Sequence, residues 1–402
     1  MTLLDDHERR DDEQDEGVAV KKEWEVIPLG ELCDVLDYKR KPITKRDREA
    51  GEYPYYGATG ILDYVSGYLF DESLILVGED GAKWGSGENT AFAVDGKIWV
   101  NNHAHVLRPH RSSLLDRWLI YFLNYSDLAE YVSGLTVPKL NQGSLREISI
   151  PLPPLEEQQR IVALLDEAFE ALATAKANAK QILQNARALF ESHLDSVFRQ
   201  RGEDWEKRRI EEWCESVMDC VNKTAPVVEA PTPFKMLRTT NIRNGKVDVS
   251  AVKYVTEETY NTWTRRQIPQ RGDVILTREA PMGEVGMILT DDKVFLGQRL
   301  VSYRTKSNEL DTFFLLYALQ SGALQDQIHA KASGSTVQHM RVPDSKNLLL
   351  AAPSLEKQQK IVEQLKALQA ETQRLTSIYE RKLAAMEELK TSLLHQAFNG
   401  EL

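Results

Sequence analysis

The segment PLEEQQRIV, Pro154 to Val162, returns 200 positions later as SLEKQQKIV, Ser354 to Val362. The match continues in the same register without a gap. Ser133-Gly134 pairs with Ser333-Gly334, and Thr136-Val137 with Thr336-Val337. Further on, Leu165, Leu183, Leu189, Ser192, Leu194 and Phe198 meet Leu365, Leu383, Leu389, Ser392, Leu394 and Phe398. A long ungapped self-match is the mark of a duplicated frame. Upstream, WEVIPLGELCDV from Trp24 echoes WEKRRIEEWCES from Trp205, with Trp and Cys in step at an offset of 181. The two offsets differ, so the halves share a frame around middles of unequal length.

Both repeated segments read as long helices. In the first, Leu155, Val162, Phe169, Leu183, Phe190 and Val197 lie on a seven-residue grid that only Lys176 interrupts. Leu165, Leu172, Ala179 and Ala186 fill the alternating position. In the second, Ile361, Leu368, Leu375 and Leu389 share one column, and Leu365, Tyr379, Met386 and Leu393 the next. Such spacing lays an apolar stripe that must pack against another helix. Pro153-Pro154 with Glu156 and Glu157 marks the first start, Ser354 the second, and Gly202 and Gly400 the stops. Each helix then has about 45 residues and runs roughly 65–70 Å.

The rest of the chain fits around these helices. At 402 residues, 42% hydrophobic and 28% charged, it has room for several packed units. The fold class expected is mixed α/β: units of twisted sheet plus helices at 23–152 and 202–352, and long helices at 153–201 and 353–402. The segments Leu114–Val132 and Leu310–Ile328 are each read as a single packing helix. Residues 1–22 read as an acidic, disordered tail, with eight acids and two basic residues in Met1–Glu16. Three cysteines, Cys33, Cys214 and Cys220, and no long apolar run or signal peptide point to a cytoplasmic protein.

A net charge of −11 argues against nucleic-acid binding, but the tail accounts for six of those negative charges and local charge runs the other way. Tyr38–Arg48 carries six basic residues, Lys39, Arg40, Lys41, Lys45, Arg46 and Arg48, against one acid. Lys235–Arg278 carries nine against four, among them Arg238, Arg243, Arg265, Arg266 and Arg278. One basic loop is ordinarily just solvated surface; two, each early in its half, favour phosphate contact. Nearby turn-rich stretches offer groups able to read base edges. They are Asn101, Asn102, His103 and His105 in VNNHAH, Lys139 and Asn141 in TVPKLNQGS, Asn241 and Asn244 in TTNIRNGK, and Gln298 and Arg299 in LGQRL.

Catalytic motifs are not found. The stretch VGEDGAKWGSG lacks the Gly-Lys-Ser/Thr of a phosphate loop and reads as a turn between strands. His103 and His105 would face one side of a strand without a third metal ligand. Asp291-Asp292-Lys293 resembles a fragment of a nuclease site but reads as a turn, and Tyr53-Pro54-Tyr55-Tyr56 does not replace the Pro-Pro-Tyr segment that methyl transfer to an amine uses. The chain is expected to be non-catalytic, with no metal or cofactor of its own.

The layout, a variable unit then PLPPLEEQQRIV, a second variable unit then APSLEKQQKIV and LLHQAFNGEL, closely resembles the specificity subunit (HsdS) of Type I restriction–modification systems. RGDVILTREAPMGEVG and SGSTVQHM look like stretches of that family's target recognition domains. The resemblance implies two recognition domains, each reading half of an interrupted double-stranded DNA target, and adds Gln338, His339 and Arg341 to the candidate DNA contacts. It implies an antiparallel helical spacer holding half-sites about 34 Å apart. It also implies docking of two methyltransferase subunits through the duplicated helix starts: Leu155, Gln158, Gln159, Ile161 and Val162, and Leu355, Gln358, Gln359, Ile361 and Val362. S-adenosylmethionine would come with the methyltransferase, and ATP and Mg with two restriction subunits. A specificity chain of a fused Type II-like restriction–methylation enzyme and a coiled-coil scaffold without a DNA role are the alternatives.

Overall fold

The computed structural model describes residues 24–134, 136–200, 202–333 and 338–402. The acidic tail and the repeat residues Gly334, Thr336 and Val337 lie outside the described residues. By compactness the chain divides into one unit running to Ala179 and taking in Arg381–Leu402, and a second formed by Lys180–Glu380. The helices Leu155–Arg199, 45 residues, and Leu355–Phe398, 44 residues, match the expected lengths, and each passes from one unit into the other. Among the described residues no helix is long and apolar enough to cross a membrane.

The first unit is built on LILVG, whose unbroken apolar run makes a strand, Leu74–Gly78, with all five residues buried. It sits inside a four-stranded antiparallel sheet in the order Cys33–Val35, Ala104–Pro109, Leu74–Gly78, Ala91–Val94. Because side chains alternate, Ile75, Val77 and Leu107 enter a core with the helix Asp116–Tyr125 and the long helices. Leu74, Leu76 and Val106 face a second core, against the sheet Gly60–Val65, Ala50–Gly57, Lys97–Val100, Phe70–Asp71.

The second unit repeats this plan with additions. Its six-stranded sheet runs Cys214–Asp219, Leu300–Thr305, Val274–Arg278, Met282–Met287, Gly245–Val247, Ile242–Arg243, and a three-stranded sheet runs Lys253–Tyr254, Phe234–Leu237, Lys293–Leu296. Leu107 lies between Val35 and Ile75, as Tyr303 lies between Val217 and Val274. The faint echo at Trp24 and Trp205 is structural too: Glu25 pairs with Leu152 and Glu206 with Ala352, each opening a two-stranded antiparallel ladder. Cys33 and Cys214 occupy matching buried strand starts, where burial pushes both thiols up to about 12. Neither expected packing helix is continuous: the first ends at Tyr125, ahead of a turn at Ala129–Tyr131 and the strand Val132–Ser133, and the second, Leu310–Ile328, is divided. It forms two helices, Thr312–Gln320 and Gly322–Ala330, broken at Ser321. A Cβ on Gly322 would lie 2.5 Å from Asp195 Oδ1 on the long helix, so the break permits a close approach.

The duplicated helix start is a clasp. Gln158 is fully buried; its Oε1 accepts from the Leu115 N–H at 2.9 Å, and its Nε2 donates to Ser113 O at 2.8 Å and Pro153 O at 2.9 Å. Gln358, equally buried, accepts from the Asp311 N–H at 2.8 Å and donates to Glu309 O at 3.0 Å and Pro353 O at 2.8 Å. Each glutamine thus ties a long helix to the loop that opens the packing helix of its own unit. The expectation that the whole motif faces a partner is corrected accordingly. Of the ten residues named for docking, Gln158, Ile161, Val162, Gln358 and Val362 point inward, Leu155, Leu355 and Ile361 are half-buried, and Gln159 and Gln359 stand in solvent.

Helix ends close the units in a matching way. Trp118 packs between Trp24 and Phe398, at 5.4 and 4.8 Å between ring centroids. Phe314 packs between Trp205 and Phe198, at 5.7 and 5.1 Å. Lys176, the break in the apolar grid, pairs with Glu387 inside the first unit, and Arg187 pairs with Glu380 at 3.0 Å inside the second. In each unit the two helix segments run antiparallel. Leu389, expected on the stripe, is 49% exposed. A straight helix drifts about 20° per heptad from a seven-residue grid, hence roughly 80° from Ile361, and Leu394, Ala397 and Phe398 replace it in the core.

Gln158→Ala or Gln358→Ala strands buried peptide groups and is expected to cost about 2–4 kcal/mol in denaturant unfolding, while Gln159→Ala stays within about 0.5 kcal/mol. Equal costs at Gln158 and Gln159 would refute the clasp.

Candidate nucleic-acid interface

The sequence-predicted polar residues converge where the central strand of each unit ends. In the first unit Glu79 N–H donates to His103 O at 2.9 Å, and Leu140 N–H donates to Glu79 O at 2.8 Å. Asp80 forms an antiparallel bridge with Lys139, and its carboxylate meets the His103 ring. In the second unit Arg278 N–H donates to Arg299 O at 2.8 Å, and Met340 N–H donates to Arg278 O at 2.9 Å. Glu279 bridges to His339 and pairs with Arg299 at 3.2 Å. The neighbouring strand matches as well, since Asn101 N–H donates to Tyr56 O and Gly297 N–H to Leu237 O. The two tips are therefore equivalent bond for bond, with His103–Asp80 in one standing where Arg299–Glu279 stands in the other.

Behind the first tip lies a buried ionic network. His105, fully buried, bonds Asp37 Oδ2 at 2.6 Å through Nδ1 and Leu140 O at 2.7 Å through Nε2. Arg40 pairs with Glu79 and with Asp37 at 3.2 Å, and donates to Ala104 O at 2.7 Å; Lys139 reaches Glu79 at 2.7 Å. Burial alone would raise the Asp37 carboxyl. The His105 hydrogen bond and charge, the Val106 N–H and Arg40 outweigh it and hold Asp37 below the usual carboxylate range. Three readings change here. Arg40 and His105 are inward-facing supports and present nothing to a ligand. His103 sits in the turn before the strand Ala104–Pro109 and does not share a face with His105. The third and fourth groups near His105, absent from its sequence neighbourhood, are Asp37 and Glu79, whose ligand atoms gather within 4.8 Å of its own. Those carboxylates already carry Arg40 and Lys139, so the chemistry of the cluster is that of an ion-pair network.

Two asparagines are likewise structural. Asn101, 3% exposed, accepts the His103 N–H, and Asn241, 2% exposed, accepts from the Arg238 N–H and donates to Ala251 O. Arg278 is largely a support, its Nη1 holding Met340 O at 2.9 Å, the carbonyl equivalent to the one His105 holds. Exposed at or beside the tips are Asn102, Asn141, Gln298, Arg299, Gln338 and Arg341, the last paired with Asp344. Arg238 follows the strand Phe234–Leu237, parallel to the one that leads to Gln298, so both leave the sheet at the same end. In the basic segment of the first unit Lys39, Lys41 and Lys45 are exposed, Arg46 pairs with Asp47, and Arg48 lies 4.4 Å over the Tyr55 ring beside Asp63. Other candidates belong to other elements. Asn244 turns the Ile242–Val247 hairpin with φ +51, Arg243 donates to Thr239 O, Arg265 is exposed after the helix Glu257–Thr264, and Arg266 holds Asp219. The acids Asp37, Asp80 and Glu279 were not singled out from sequence, although GED and REA end equivalent strands.

The model of the Type I restriction modification DNA specificity domain matches this chain twice, over residues 21–184 and 202–381. The MjaVIII specificity subunit of the Type I restriction enzyme from Methanocaldococcus jannaschii is 23% identical, over 96% of this chain and 94% of that protein. The Escherichia coli EcoDI specificity subunit is 22% identical, over 94% and 89%. In fold, the chain is similar to the HsdS subunit from Thermoanaerobacter tengcongensis, with a TM-score of 0.59 at 20% identity over 94% of this chain and 97% of that one. It is also similar to a chain solved for complex assembly and conformational transition of the type I R-M system, with a TM-score of 0.71 at 19% identity over 94% and 98%.

Because Asp37 is depressed in the folded state, its contribution is complete above the ordinary carboxylate range and is lost as pH falls from about 4 through its folded value. Asp37→Asn is expected to cost about 2–4 kcal/mol at neutral pH, a difference that shrinks below about pH 4 in denaturant unfolding. A pH-independent difference would rule this out.

Proposed function

This chain belongs to the family of Type I restriction–modification DNA specificity subunits, and on that footing we propose that it chooses the DNA site on which partner subunits act. Each unit reads one half of an interrupted sequence. The observation that carries this reading is the pair of equivalent tips with unlike side chains: one frame used twice, bearing different readers, suits two unlike half-sites. Exposed Lys39, Lys41, Lys45 and Arg265 supply cations for the phosphates.

The partners follow from the family. Two methyltransferase subunits bring S-adenosylmethionine and methylate adenine N6 on a flipped base. Two restriction subunits bring ATP, Mg and the nuclease. This chain is the non-catalytic, cytoplasmic member that addresses them. The long helices set the gap between half-sites, and partners meet their exposed side, Gln159 and Gln359 included. With a net charge of −11, the chain relies on its partners for much of the phosphate neutralisation.

Purified alone, the chain is expected to bind its target at least about 100-fold more weakly than the methyltransferase complex does in the same salt, by fluorescence anisotropy. Tight, site-specific binding by the lone chain would contradict this. One helical turn added to Leu155–Arg199, about 5.4 Å of helix, is expected to lengthen the unspecified gap and leave both half-sites unchanged. Sequencing of modified DNA checks it; new half-sites at the old gap would refute the spacer.

A further inference from the structure

The two tips carry unlike side chains at several equivalent positions, Glu79 against Arg278 and Lys139 against His339 among them, and one such pair, His103 and Arg299, is both exposed and braced. Every main-chain bond that fixes Arg299 has its counterpart at His103, and each side chain leans on an acid from the adjoining strand end, Glu279 or Asp80. The nitrogen-bearing member is the exposed one: the side chains of Arg299 and His103 are 50% and 49% exposed, those of Glu279 and Asp80 only 24% and 19%. That is the arrangement of a reader braced from behind. The acid takes one edge of the side chain and leaves the rest aimed outward.

The backbone adds an independent indication. Arg299 has φ +72, in the left-handed region that suits glycine and is costly for a side chain with a Cβ. Strain of this kind is retained where the side chain has work to do. Neighbouring Ala280, φ +53, sits at the same tip, where its carbonyl accepts from Thr239 Oγ1 at 2.9 Å. Gln298 is exposed beside it, whereas Arg278 is tied to Met340 O and is not free to read. Arg299 uses Nη2 on Glu279, which leaves further guanidinium donors for the O6 and N7 acceptors of guanine, the base edge that a planar fork fits best.

We propose that Arg299, oriented by Glu279, is the guanine-reading residue of the second unit, and that His103, oriented by Asp80, holds the equivalent reading position in the first. This rests on the DNA-recognition function above. It is tested by co-expressing the full chain with its methyltransferase partner and mapping methylated adenines by sequencing, for wild type, Arg299→Ala, Arg299→Gly and His103→Ala. Arg299→Gly removes the side chain while relieving the left-handed backbone, so a folding defect cannot mimic its effect; thermal melting confirms this.

Both Arg299 variants are expected to keep a two-part motif and relax one G·C position in a single half-site, with methylation of sites lacking that guanine rising about 10-fold or more. His103→Ala relaxes a position in the other half-site only. An unchanged motif, a relaxed A·T position, or relaxation of the same half-site by both residues would overturn the assignment. So would a uniform loss over all sites, the signature of a phosphate contact. These results leave the wild-type motif bipartite and the general function intact; a wild-type complex with no bipartite motif would overturn both.

Discussion

A buried amide holds each half of this protein together. Gln158 and Gln358 place a side chain with both donors and an acceptor where a long helix meets the loop that starts a packing helix, and three backbone groups depend on each. A carboxylate there could not donate, and an aliphatic chain could do neither. With the clasp made, the helix enters its unit at a fixed angle, the Trp118 or Phe314 ring finds its neighbours, and the central sheet gains its second covered face. The double glutamine of the repeat splits into two roles: the first residue of each pair is internal architecture, and the second is free for contact with other molecules.

The same economy governs the tips. Main-chain hydrogen bonds, and in the first unit the Asp37–Arg40–Glu79–His105 network, fix the geometry, so the outward side chains need not contribute to it. A chain in which fold and readout are assigned to different atoms can carry two unlike readers on one plan. An acidic whole and locally basic segments are compatible for a related reason: the charge that matters for DNA is local and short-ranged, screened within about 8–10 Å at ordinary salt.

Much of the fold was legible in the sequence, because repetition and heptad spacing are long signals that average over many residues. The two long helices, the kinship of the Trp24 and Trp205 segments and the mixed sheet-and-helix units came from such patterns, though that the kin segments are strands did not. Single residues were harder. His105 and Asn241 looked like readers because residue type shows what a group can bond, and not that Asp37, Leu140 O or Ala251 O from distant parts of the chain already satisfies it. Leu389 failed because a seven-residue grid is only an approximation to the helix. The break at Ser321 was hidden because it answers to Asp195, over a hundred residues away in sequence. Sequence gave periodic burial well and pairwise satisfaction poorly.

The aromatic closures carry a consequence for biosynthesis. The second unit is complete once the chain has reached Glu380, whereas the first still lacks Arg381–Leu402, which includes the Phe398 ring that covers Trp118. On the ribosome, order of synthesis and order of completion are therefore reversed. The half made first must wait, with one side of Trp118 uncovered, for Arg381–Leu402 to emerge.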